Sequence, residues 1–106
     1  MESTLTVRIA GRSDLEELTK LFDQYRQFYQ CAPDLDSARD WLEDNIDQER
    51  STVFVADNGG SLLGFTQLYP TLCSVDLVKY FVLYDLFVDP SARRLGIARA
   101  LMNAAS

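Results

Sequence analysis

Two groups of residues near the end of the sequence have types and spacing suited to chemistry. The first is Arg93-Arg94-Leu95-Gly96-Ile97-Ala98, which follows the apolar run Val78 to Val88 and the turn Asp89-Pro90-Ser91. The segment opens a stretch of helical spacing. The first amides of a helix have no carbonyl behind them and carry the positive end of the helix dipole. Gly96 lets the backbone approach an anion with no Cβ in the way. Ala98 keeps the next substituent small, and the arginines add permanent charge and forked donors. These are the parts of a pyrophosphate cradle; read blandly, they are a basic helix cap with a structural glycine. The second group centres on Asp85, a carboxylate inside an apolar strand. Burying it without a partner is expensive. Three uses stay open: holding an amine, relaying a proton through water, or pairing structurally with an arginine or a backbone amide. Tyr69, Tyr80 and Tyr84 either line an acceptor pocket beside it or serve as core and rim residues.

Composition narrows the chemistry further. The 106 residues include no histidine, which removes Ser-His-Asp and Cys-His catalysis and most zinc chemistry. No metal is expected. Proton transfer is left to Asp, Glu, Tyr, Cys, Lys or water. Cys31 and Cys73 read as a reduced pair rather than a disulfide framework, and nothing near Cys73 in the sequence would activate its thiol. The net charge is −6. An acidic body disfavours nucleic acid and suits cations. After Asp89 only basic charges remain: Arg93, Arg94 and Arg99. No apolar run approaches the roughly 20 residues needed to span a bilayer. The N-terminus has no secretory h-region, so no membrane partner and a cytoplasmic location are expected.

The elements that must position these groups follow from periodicity. Leu5, Val7 and Ile9 alternate as a strand. Ser13-Asp14-Leu15-Glu16 fits a capping box, and Leu15, Leu18, Leu21, Phe22 and Tyr25 then keep helical spacing to about Tyr29. A second helix is expected from Asp36 or Ser37, capped with Asp40, to about Asp47. Thr52 to Ala56 reads as a strand, and Asn58-Gly59-Gly60 as a hairpin turn. The partner strand runs from Ser61 to Tyr69 and is ended by Pro70, with a loop or bulge from Thr71 to Asp76. Val78 to Val88 is β-branched and aromatic enough for a central strand. Leu95 to Ala105 is helical, with Ile97, Leu101 and Met102 inward. Trp41 and Phe28 are assigned to helix-to-sheet packing. The order β-α-α-β-β-β-α gives a mixed α/β (α+β) fold with a largely antiparallel central sheet and flanking helices.

The spacing Arg93-x-x-Gly96-x-Ala98, placed after YDLFVDP and opening a helix, resembles the Q/R-x-x-G-x-G/A signature of the GNAT superfamily of N-acetyltransferases. The element order resembles the first two-thirds of that fold, so the resemblance covers the whole of residues 1–106 as one truncated domain. It implies acetyl transfer from acetyl-CoA to a primary amine of a small molecule, directly within a ternary complex. Amides of Arg94, Gly96, Ile97 and Ala98 would bind the pyrophosphate beside Arg93. The main chain of Leu86, Phe87 and Val88 would pair with the pantetheine arm, and an amide near Phe87 or Val88 would polarise the acetyl carbonyl. LGFTQLY and FVLYDLFVDPSARRLGIA are similar to the diamine (polyamine) acetyltransferase branch. Asp85 matches its acidic position, while Tyr84 stands where that branch often has a second acid.

The family's later strands, and the tyrosine it often uses as general acid, have no counterpart in these residues. A 106-residue fragment is therefore expected to have little activity by itself. A bare edge on the Val78 to Val88 strand is expected to favour a homodimer or other self-association. The alternative is a degenerate GNAT-like module that binds coenzyme A or another protein without catalysis.

Overall fold

The computed structural model describes residues 5–92 and 96–105, apart from the side chains of Cys73 and Tyr84. Seven main elements alternate as expected. They are β1 (Leu5–Ile9), α1 (Leu15–Phe28), α2 (Leu35–Asp47), β2 (Thr52–Asn58), β3 (Ser61–Cys73), β4 (Val78–Val88) and α3 (Ile97–Ala105). Short 3-10 turns lie at Arg12–Asp14 and Pro90–Ala92. The strands form one sheet in the order β1-β2-β3-β4, with every neighbouring pair antiparallel. Among the described residues no helix is long and apolar enough to cross a membrane.

Strand alternation builds the two layers. Val53, Val55, Leu62, Phe65 and Phe87 face α1 and α2 and pack with Leu15, Leu18, Leu21, Phe22, Ala38 and Leu42. Their strand neighbours Phe54, Ala56, Leu63, Leu86 and Val88 point the other way, onto Ile97 and Leu101 of α3. A period of two thus divides one apolar set between two helical layers. Met102 does not join Ile97 and Leu101; it is half exposed. Its position is one residue round the helix from Leu101, beyond the stripe that the sheet covers.

Several element ends differ from the sequence expectation, each for a local reason. Asp14, rather than Ser13, stands at the N-cap of α1, with its carboxylate bonded backward rather than to an amide of that helix. Its Oδ2 accepts the Gly11 amide at 2.8 Å, and Ser13 lies inside the 3-10 turn. The Arg8 guanidinium holds Asp14 inward, donating to both carboxylate oxygens at 2.8 Å, and reaches Asp57 at 3.0 Å. That arginine keeps the Asp14 carboxyl below the usual range. For α2, the cap is Asp34, whose Oδ1 accepts the Ser37 amide at 3.1 Å, so the helix starts a residue or two early. Buried Asp23 of α1 fixes that cap by accepting the Asp34 amide at 2.9 Å.

The largest difference is in β3, which continues through Pro70 to Cys73 instead of ending at Tyr69. The β2–β3 ladder stops at Thr52 and Leu68, while pairing with β4 continues through Pro70 opposite Phe81. Beyond Leu68, then, one side of β3 has no ladder to serve, and a residue without an N–H is tolerated there. A bulge interrupts the β3–β4 register: Gln67 pairs with Asp85 but Leu68 with Leu83, leaving Tyr84 as the extra residue. Among the described residues β4 has a strand on one side only. Its outer half, with Tyr80 and Phe81, is exposed.

The inner end of β4 is held by a close approach. Gly64 lies opposite Val88, and a Cβ there would sit 2.8 Å from the Phe87 carbonyl oxygen and 3.3 Å from the Val88 Cα. Both neighbours are backbone, so the strand itself would have to move. Gly64→Ala is expected to lower stability by about 1–3 kcal/mol in chemical denaturation. A variant as stable as the parent would show that this contact is slack.

Candidate active site

Two clefts meet at the end of α1. The larger, of about 520 Å³, runs between that helix end (Tyr25, Phe28, Tyr29), the inner end of β4 (Leu86, Phe87, Val88) and the start of α3 (Gly96, Ile97, Ala98, Arg99). The smaller, of about 370 Å³, is lined by Phe22, Arg26, Cys31, Trp41, Tyr69 and Asp85. Tyr25 and Tyr29 line both. The residues singled out from the sequence therefore separate into two groups. Leu86, Phe87, Val88, Gly96, Ile97 and Ala98 share the larger cleft, and Asp85 belongs to the smaller. Arg93 and Arg94 lie outside the described residues, as does the side chain of Tyr84.

At the mouth of α3, Gly96 has φ +76°, a left-handed conformation that glycine adopts without penalty. Its carbonyl accepts the Ala100 amide at 3.1 Å, the first bond of the helix. The amides of Ile97 and Ala98 precede that bond and are not used by the helix ladder. Among the described residues, no atom beyond its chain neighbours lies within 4 Å of the position a Gly96 Cβ would take. The value of glycine here is thus its backbone angle as well as its size. The preceding turn is tied down: the Asp89 amide donates to the Leu63 carbonyl at 2.8 Å, and Asp89 accepts from the Ser91 amide and hydroxyl.

In the smaller cleft the bulge aims Asp85 toward α1. Its Oδ1 accepts the Tyr25 hydroxyl at 2.9 Å. Its Oδ2 accepts Gln67 Nε2 at 2.9 Å and the Tyr69 hydroxyl at 3.3 Å. A carboxylate offers about four acceptor positions, so one position on Oδ1 remains. Gln67 is fully buried, and its orientation is set by Ser51, whose hydroxyl donates to Oε1 at 2.7 Å. The Thr66 hydroxyl donates to the Asp85 main-chain carbonyl at 2.7 Å, satisfying an acceptor beside the bulge. Of the three uses left open for Asp85, structural pairing is thus realised with tyrosines and a glutamine, not with an arginine or a backbone amide.

Both tyrosines that donate to Asp85 are held in their neutral form. Burial raises the Tyr25 hydroxyl well above its ordinary range, and the hydrogen bond to Asp85 adds to this. Tyr69 is pushed up to about 12 by burial and then by the Asp85 charge, against an opposing hydrogen bond with Trp41. The Tyr25 ring is packed edge-on against Phe65 and Phe87, with centroids 5.7 and 6.1 Å away, which fixes where its hydroxyl points.

Tyr69 lines a cleft, but Tyr80 lines neither and is half exposed on the outer part of β4. Two packing assignments are corrected. Phe28 is 67% exposed and borders the larger cleft; Trp41 is 50% exposed and borders the smaller. The face of α2 turned to the core is Ala38, Leu42 and Asn45, with Trp41 at its margin. Sequence reasoning also passed over Tyr25, Arg26 and Tyr29 as site residues. The signal was available: Tyr25, Phe28 and Tyr29 extend the apolar stripe of α1 with more aromatic surface than a helix end can bury.

Comparison with known proteins identifies the family and the fold. Residues 15–106 match the family model described as Acetyltransferase (GNAT) family. The chain is 41% identical over 101 residues to the uncharacterized N-acetyltransferase YhfO of Bacillus subtilis, covering 95% of this chain and 68% of that protein. A crystal structure of a probable acetyltransferase superposes with a TM-score of 0.89 at 34% identity, over 94% of this chain and 68% of the other. At 22% identity, the aminoglycoside N-acetyltransferase AAC(6')-Iy, solved in complex with CoA, shares the fold with a TM-score of 0.81 over 99% of this chain and 68% of that one.

Raised tyrosine pKa values have a sign. A group whose folded pKa is raised stabilises the fold fully below its unfolded pKa, and loses that contribution as pH rises through the folded value. Tyr25 and Tyr69 should therefore stabilise the fold fully up to about pH 10; Tyr69 loses that effect as pH rises to about 12, and Tyr25, raised further, loses it only at still higher pH. Tyrosinate absorbance is expected to show a late-ionising class that shrinks in Tyr69→Phe. Five tyrosines ionising together near pH 10 would contradict the geometry.

Proposed function

Because the chain belongs to the GNAT acetyltransferase family, we propose that its two clefts hold the two substrates of one N-acetyl transfer. Acetyl-CoA occupies the larger cleft. The amides of Gly96, Ile97 and Ala98, with Arg93 and Arg94, take the pyrophosphate. The main chain of Leu86, Phe87 and Val88 runs beside the pantetheine arm. The open space at Gly96 and the unused amides behind it fit a diphosphate approaching close to the backbone. The bound thioester supplies an activated acetyl group. The described residues supply two further parts: an amide near Phe87 or Val88 donates to the carbonyl oxygen as it gains charge, and the aromatic walls exclude water.

A primary amine of a small molecule occupies the smaller cleft. Asp85 faces it with its remaining Oδ1 position and either orients the amine or passes its proton to water; Tyr84 stands beside it at the bulge. The amine attacks neutral and directly, in a ternary complex. Its C–N bond forms as the thioester C–S bond breaks, and coenzyme A leaves as a thiolate that ends as the thiol, balanced by the proton the amine loses. The observation that carries this reading is the shared wall. Tyr25 borders both clefts and donates to Asp85, so the carboxylate sits next to the boundary where an acetyl group and an amine would meet.

Coenzyme A titrated into the protein is expected to protect the amides of Gly96, Ile97 and Ala98 from hydrogen exchange. No saturable protection would defeat the assignment of the larger cleft. Asp85→Asn is expected to weaken binding of the accepted amine by about tenfold or more, read from the fluorescence of Trp41, the single tryptophan.

A second observation favours self-association. The distal β3–β4 ribbon exposes Leu72, Val75, Leu77 and Phe81, an apolar set on the strand pair with the open edge. Such an edge pairs readily with a second copy. Sedimentation should show a concentration-dependent dimer that Phe81→Glu weakens; a monomer at all concentrations would remove the homodimer.

A further inference from the structure

The smaller cleft carries a second charge that the transfer reaction does not need. Arg26 lies on α1 between Phe22 and Tyr29, and all three line this cleft. Its side chain is half-buried. Among the described residues no hydrogen bond or ion pair engages its guanidinium. Arg8, by contrast, is clamped between Asp14 and Asp57, and Arg12 and Arg39 meet Glu43. The Asp34 carboxyl, lowered first by its bonds with Ser37, also feels the Arg26 charge, but it is solvent-exposed and makes no ion pair with the guanidinium. In a chain with 16 acids and a net charge of −6, a cleft-lining guanidinium that pairs with no carboxylate among the described residues is a position left for one.

The same cleft contains Asp85, with one acceptor position open. It therefore presents a carboxylate and a guanidinium to one bound molecule, with Trp41 and Tyr69 beside them. Its volume of about 370 Å³ is enough for a small molecule such as an amino acid. A diamine fits poorly, because its second ammonium would be set in a cleft bordered by Arg26.

We propose that the acceptor is a zwitterionic amine of amino-acid size, its amino group at Asp85 and its carboxylate held by Arg26. This rests on the reading of the smaller cleft as the acceptor site and names the substrate class of that site. Arg26 is then a specificity-determining residue. It selects against amines that lack an acid group and takes no part in the transfer itself.

The test is equilibrium binding, followed by Trp41 fluorescence in the wild-type protein. The probes are the common L-amino acids, each paired with its own decarboxylated amine, and 1,4-diaminobutane. At least one amino acid should bind tenfold or more tightly than its decarboxylated partner and than the diamine. Arg26→Ala should abolish that preference and Arg26→Lys should keep part of it, while protection of the Gly96 amide by coenzyme A stays unchanged in both. Equal binding of amino acid and amine, no binding by any amino acid, or a preference that survives Arg26→Ala would each overturn the proposal. Failure of coenzyme A to protect Gly96 in the wild type would instead defeat the two-cleft reading and leave the ligand preference measurable by itself.

Discussion

The Asp85 carboxylate is the point on which the arrangement turns. It sits on β4, receives hydrogen bonds from α1 through Tyr25 and from β3 through Gln67 and Tyr69, and so ties the helix layer to the sheet edge. A charge in an apolar strand would be costly alone. Three donors turn it into a fixed reference for the α1–β4 spacing, and that spacing sets the width of both clefts. Gln67 is the least replaceable donor. It is wholly buried and bonded at both ends of its amide, so an apolar substitute would leave the Ser51 hydroxyl without this acceptor and Asp85 with only its two tyrosine donors.

The second constraint is the backbone at the inner end of β4. The strand closes onto Gly64, turns through Asp89 to Ala92 with its amides tied to the Leu63 and Asp89 carbonyls, and enters α3 at Gly96. Glycine serves differently at its two ends. At Gly64 it permits contact between neighbouring strands; at Gly96 it permits a left-handed turn facing open space. Between them the chain delivers the α3 amides beside the Phe87 main chain. A rigid frame on both sides is what a site needs if its donors are to be in place before a ligand arrives.

Much of this was legible in the order of residues. The alternation of Val53 to Ala56 and of Leu86 to Val88 specified strands covered on both faces, and the two layers follow from it. Gly59-Gly60 specified its hairpin, and both glycines have positive φ. The Gly96 segment stood out because glycine, small residues and helical spacing coincide after a strand. What could not be read depended on distant partners. Ser13 lost its capping role because Arg8, on another element, draws Asp14 inward. Pro70 reads as a terminator because proline breaks ladders, and nothing local reveals that the β2 ladder has already ended. Trp41 and Phe28 read as core because aromatic spacing does not say where a neighbouring layer stops. The donors to Asp85 come from positions 25, 67 and 69, and only the folded register brings them to one oxygen pair.

Beyond the pairing of Leu68 with Leu83, β3 and β4 continue without β2 alongside, as a two-stranded arm. Among the described residues neither a third strand nor a helix covers this arm, and two strands alone are marginal in water. Taken with those residues alone, the arm is a cooperative unit of low local stability. It can fray and re-form while the bulge at Tyr84 and the register at Asp85 keep their places, so motion at the tip and geometry at the clefts are mechanically uncoupled.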